Sequence, residues 1–106
     1  MSTLTLFDII QDIHAMDEEL WHYESRYGLR SRYFYELYGM GKLRDEDPLE
    51  IRDYTDWAAC YEIRRHREEL YDQLVRATLQ RVDSKERLSL ADLRLTLAPQ
   101  AIPVGP

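Results

Sequence analysis

Apolar residues recur at Leu6, Ile9, Ile13, Met16, Leu20, Tyr23 and Tyr27, in alternating steps of three and four. That spacing holds one stripe along a helix for about three heptads, and the two-residue period of a strand cannot produce it. A helix carrying such a seam has to bury it, so the rest of the chain must supply a second long helix or another molecule must. The start is marked by Thr5 with Asp8 three residues on, a reciprocal cap, and by Leu4 placed to staple onto Ile9. Gly28 supplies the left-handed residue on which a helix stops.

The next stretch, "YESRYGLRSRYFYELYGMGKL", holds five of the eight tyrosines and three of the four glycines. It is too aromatic for a solvated loop and too interrupted for one helix. Ser31 reads as the N-cap of a short second helix, "RYFYELY", which presents Phe34, Leu37 and Tyr38 before "GMG" ends it. Asp47-Pro48-Leu49-Glu50 opens a long third helix, with a second possible start at Asp53 and Asp56. Its stripe runs through Tyr54, Trp57, Ala58 and Tyr61, then Ile63, Leu70, Leu74 and Ala77, interrupted by "RRHREE" at 64–69. Those charges read as a solvated face laced by Glu62 with His66, Arg64 with Glu68 and Arg65 with Glu69. Beyond Asp83 the alternation of Leu93, Leu95 and Leu97 with Arg94 and Thr96 reads as strand-like, without a second strand in the chain to pair with.

These elements give an all-α fold: an antiparallel hairpin of two long helices, a short helix in the connecting corner, and a flexible C-terminal tail. The helical domain is expected over 1–83 and the strand-like, Pro-containing tail over 84–106. The corner should be built by Tyr27, Gly28, Phe34, Trp57 and Tyr61. Tyrosine suits such a place, because the ring packs while the hydroxyl stays wet. A hairpin with seams this wide leaves apolar residues uncovered, so a homo-oligomer or a bound partner is expected.

Charge and composition narrow the function. Residues 1–75 carry 9 Lys/Arg against 17 Asp/Glu, and residues 76–106 carry 5 against 3. An acidic body disfavours a dedicated nucleic-acid binder and suits a basic or neutral protein. The best nucleic-acid candidate is the set Arg64, Arg65, Arg67, Arg76, Arg81, Lys85 and Arg87, interleaved with acids. The N-terminus lacks a basic segment before its apolar run, no run approaches bilayer length, and the lone Cys60 suits a reducing compartment, so a cytoplasmic protein with no membrane association is expected.

Motifs for catalysis are sparse. His14, Glu18 and His22 share a helical face and Glu19 with His22 forms one E-x-x-H, but a metal bundle needs that pattern twice. His22-Tyr-Glu24 lacks the P-C-x-x-C half of a zinc deaminase, and Gly39-Met40-Gly41-Lys42 follows a helix where a phosphate loop follows a strand. No catalytic residue, metal ligand or cofactor is therefore assigned, and the chain is read as non-enzymatic.

The centre of the chain carries Tyr23, Glu24, Tyr27 and Gly28, then Ser31, Phe34 and Tyr35, then Gly41, Leu43 and Asp45, then Trp57, Ala58, Tyr61 and Glu62. Over about residues 9–75 this pattern resembles a group of short bacterial and cyanobacterial helical proteins that look like the antitoxin halves of two-gene toxin–antitoxin modules, some beside a small TumE-like toxin. The family pattern has a serine pair and two acids before F-Y; here Arg30, Ser31, Arg32 and Tyr33 stand instead, which removes acidic character where a partner would dock. The resemblance implies an antitoxin that neutralises a small toxin encoded nearby. Tyr35, Tyr38, Leu93, Leu95 and Leu97 are the expected partner-binding residues, and the alternative is a DNA-associated regulator using the third-helix cations.

Overall fold

The computed structural model describes residues 2–82 and 87–104. It is mostly helical, with a small two-stranded sheet: β1 (Ser2–Thr5), α1 (Leu6–Tyr27), α2 (Ser31–Gly39), α3 (Pro48–Gln80), α4 (Leu90–Leu97) and β2 (Ala101–Val104). Contacts divide it into two compact units, one of Ile13–His66 and one of Met1–Asp12 with Arg67–Pro106. The domain boundary expected at 83/84 lies outside the described residues.

The seam of α1 is where the spacing puts it. Leu6, Ile9, Ile13 and Leu20 are buried, and Met16, Tyr23 and Tyr27 half-buried. The cap forms as expected: the Thr5 amide donates to Asp8 Oδ2 at 3.0 Å and the Asp8 amide to Thr5 Oγ1 at 3.1 Å. Hydrogen bonding from Thr5, first through its backbone amide and then through its side chain, holds the Asp8 carboxyl below its ordinary value. Gly28 ends the helix at φ 68°, its amide bonded to the Glu24 carbonyl at 2.8 Å.

Three local expectations are corrected. Ser31 is not a cap; Arg30 occupies that position without a side-chain cap bond, and Ser31 is the first helical residue with its hydroxyl turned to other work. The possible second start at Asp53 does not break α3, which runs unbroken from Pro48 because the Asp47 carboxylate already caps it through the Leu49 amide at 2.9 Å. The buried stripe of α3 also passes through the charged run. Trp57, Tyr61, Arg64, Glu68, Tyr71, Val75 and Thr78 lie buried or half-buried in steps of four and three, while Ile63 and Ala77 are exposed. Arg64 pairs with Asp17, and Arg67 reaches Asp12 at 3.0 Å, so the seam carries ion pairs where a solvated face was expected.

The core of the 13–66 unit is Leu20, Phe34, Trp57 and Ala58, flanked by half-buried tyrosines. Phe34 and Trp57 lie face to face, ring centroids 3.8 Å apart and planes 3° from parallel, while Tyr23 and Tyr27 stack on Trp57 at 5.6 and 5.7 Å. Flat rings suit this place, since they bury much area with few rotatable bonds. Cys60 is half-buried among them, and burial raises its thiol above the ordinary value.

In the other unit the tail departs from expectation. Residues 90–97 form a helix, α4, started by Ser89, whose hydroxyl accepts from the Asp92 amide at 3.4 Å. Leucine lacks the β-branch that favours strands, and Ser-x-x-Asp is a helix start, so local preference overrides a three-leucine alternation. Residues 101–104 do find a strand: β2 pairs antiparallel with β1, Thr3 opposite Pro103 and Leu4 opposite Ile102.

Replacing Trp57 by Ala is expected to cost about 3–5 kcal/mol, the range for removing a buried large aromatic, read as a lowered urea midpoint. Gly28→Val should cost less, about 1–2 kcal/mol, because no atom lies within 4 Å of an added Cβ and the penalty is purely conformational.

Candidate partner-binding cleft

The surface of the 13–66 unit is organised by one carboxylate. Glu24, on the last turn of α1, accepts through Oε2 from the Ser31 amide at 2.8 Å and the Ser31 hydroxyl at 2.7 Å, with Arg30 Nε at 3.4 Å. The Ser31 hydroxyl in turn accepts from the buried Trp57 indole N–H at 2.8 Å. A buried indole N–H or serine hydroxyl left without a partner would be costly, and here each satisfies the next. The relay fixes the end of α1, the start of α2 and the first third of α3 against one another, and thereby places Arg30, Arg32 and Tyr33.

Two adjoining clefts open there, of about 340 and 480 Å³, sharing Asp17, Glu24, Arg30 and Arg64. Arg32 and Tyr33 line the first and Trp21 the second. Trp21 is 63% exposed and Tyr33 54%. The Arg30 and Arg32 side chains are 83% and 74% exposed, and their ion pairs are long, 3.4 Å to Glu24 and 3.9 Å to Glu36. Arg64 and Asp17 are bound to each other. Tryptophan, tyrosine and arginine are the residues that most often anchor protein interfaces.

Of the corner residues, Tyr27, Phe34, Trp57 and Tyr61 pack in one cluster, and Gly28 follows the last residue of α1 at positive φ. Tyr35 is half-buried among them: its hydroxyl donates to Glu62 at 2.5 Å, its ring meets Tyr61 at 4.8 Å, and the Arg65 guanidinium lies 5.4 Å over it. Glu62 is thereby engaged by a tyrosine in place of the His66 expected for it. Tyr38 is exposed and lines a different cleft of about 270 Å³ with Leu43 and Ile51. Leu93 and Leu97 are half-buried and Leu95 exposed on α4, in the other unit. His14 and His22 are exposed, and among the described residues no three His, Cys, Asp or Glu side chains are placed to hold a metal ion.

Trp21 is the residue that sequence reasoning passed over. It falls between the seam positions Leu20 and Tyr23, and a tryptophan displaced from the buried stripe of an amphipathic helix was the available signal. Arg30, Arg32 and Tyr33 were visible as a departure from the family pattern, without a location.

The Tyr27 hydroxyl donates to Asp53 Oδ2 at 2.6 Å, and the same oxygen receives Arg26 at 2.6 Å. Burial, reinforced by the bond to Asp53, pushes Tyr27 up to about 12. The Tyr27 bond, with Arg26 behind it, holds Asp53 below its ordinary value. A raised tyrosine contributes stability that is complete below about pH 10, its unfolded value, and lost as pH rises towards its folded one. A depressed aspartate contributes stability present above about pH 4 and lost on acidification through its folded value. Tyr27→Phe should therefore flatten the alkaline loss between about pH 10 and 12 and weaken the Asp53 contribution above about pH 4. Urea midpoints of wild type and variant across pH 3–12 check both signs. No protein-family model matches the chain, and no curated protein or solved structure matches it either, so the functional reading rests on the chemistry of this surface.

Proposed function

We propose that the chain is a non-enzymatic interaction protein, the antitoxin of a two-gene module, which neutralises a small toxin by covering its functional surface. The observation that carries this is the exposure of Trp21 and Tyr33 beside Arg30 and Arg32 on a wall of stacked rings. Large aromatic rings left in water on a rigid support are what a protein interface uses as anchors. The motif resemblance supports the same reading, because letters of its pattern fall on the wall and relay, Glu24, Ser31, Phe34 and Trp57, that present those side chains.

In this reading α1 and α3 form an antiparallel hairpin with α2 in its corner. It is supported by the pairing of late α1 with early α3, Tyr27 with Asp53, and of earlier α1 with later α3, Asp17 with Arg64. The protein works in the cytoplasm; among the described residues no helix is long and apolar enough to cross a membrane. Self-association is part of the proposal, since Leu49, Met40, Leu90 and Leu95 are each more than 60% exposed. The regulator reading has less support, because Arg64 and Arg67 are engaged by Asp17 and Asp12.

Expression of the adjacent reading frame alone should arrest growth, and co-expression with this chain should restore it with the two proteins co-purifying. Failure of rescue, with both proteins present and folded, overturns the proposal. The purified chain should run as a dimer or larger in light scattering, and a monomer at high concentration would remove self-association. If the chain binds its own operator DNA with an affinity that falls steeply with salt, the regulator reading gains instead.

A further inference from the structure

The geometry points to the kind of partner this surface takes: an acidic segment of a protein, with a carboxylate set against Arg30 and Arg32 and an apolar side chain lodged beside Trp21 and Tyr33. The inference deepens the interaction reading and rests on it. Of the charged groups lining the first cleft, Asp17 is matched by Arg64, and Glu24 by the Ser31 amide, the Ser31 hydroxyl and Arg30. Arg32 lies 3.9 Å from Glu36 and 5.9 Å over the Tyr33 ring, and both it and Arg30 keep most of their side chains in water. The local surplus is positive on a chain whose net charge is −6, and a guanidinium's parallel N–H groups match a carboxylate in two-bond geometry. Exposed ion pairs contribute little by themselves, so the binding energy has to come from covering the two rings, and a purely ionic ligand does not fit. A phosphate backbone fits worse: Asp17 and Glu24 line the same cleft and repel a chain of repeated negative charge more than they repel a single carboxylate.

The test measures fluorescence anisotropy of three labelled probes with the full chain: a Glu–Tyr copolymer, a Lys–Tyr copolymer and a thymidine oligonucleotide. The Glu–Tyr copolymer is expected to bind best. Its affinity should fall about tenfold or more, the scale for losing an interface anchor, in an Arg30→Gln, Arg32→Gln double variant and separately in Trp21→Ala. Arg76→Glu, a charge change outside the cleft, should leave it unaltered, and Arg30→Lys with Arg32→Lys should restore part of it. Circular dichroism establishes that each variant keeps its helices. Equal binding of the Lys–Tyr copolymer, preference for the oligonucleotide, or an unchanged affinity in both cleft variants would each overturn the inference. The two proposals fail separately: rescue of growth by the double Gln variant would remove the cleft and leave the antitoxin reading, while copolymer binding at the cleft without any rescue would do the reverse.

Discussion

The hydrogen bond from Trp57 to Ser31, passed on to Glu24, is the contact on which the rest of the 13–66 unit depends. Tryptophan is the largest ring the core can bury, and it brings an N–H that must not be left without an acceptor. Ser31 provides that acceptor only because it stands at the first position of α2, and it stands there because Gly28 stops α1 three residues earlier with Glu24 one turn back. Stacking on Phe34 then fixes the plane of the indole, and the tyrosines close around it. Polar and apolar requirements are met by the same few residues, so altering any one of them disturbs both.

That economy explains why the surface beyond the corner has its character. The carboxylates that come nearest the rings are already satisfied, Glu24 by Ser31, Glu62 by Tyr35 and Asp53 by Tyr27 with Arg26. The residues left facing water there include large rings and the Arg30 and Arg32 guanidiniums, beside the exposed acids Asp17 and Glu36. A chain acidic in total thus gathers arginines and rings on one stretch of surface, a distinction that net charge alone conceals.

Much of the helical part was legible because its signals are local and periodic. The seam from Leu6 to Tyr27 is a strict alternation of threes and fours, and Thr5, Gly28 and Asp47 end or begin helices through bonds to near neighbours. What escaped was set by distance or by mixed character. Arg64 and Glu68 occupy seam positions of α3, yet hydropathy alone marks them as solvated, and the acid that meets Arg64 lies 47 residues away. Leu93, Leu95 and Leu97 alternate too briefly to outweigh the Ser89 cap. Trp21 sits beside the seam, off the three-and-four spacing that marks the buried positions of α1.

The pairing of β1 with β2 bears on the order in which the protein can take shape during translation. The 13–66 unit is a single continuous stretch of chain, complete in sequence long before the C-terminal third has been made. The other unit draws on both ends, with Thr5 opposite Ala101. Strand β1 is synthesised before α1 and has to wait until α1 through α4 have followed before its partner exists. Closing a loop of that length is entropically costly and slow compared with winding a helix. The aromatic corner can therefore be in place on the nascent chain while the leading strand still waits for its partner to emerge.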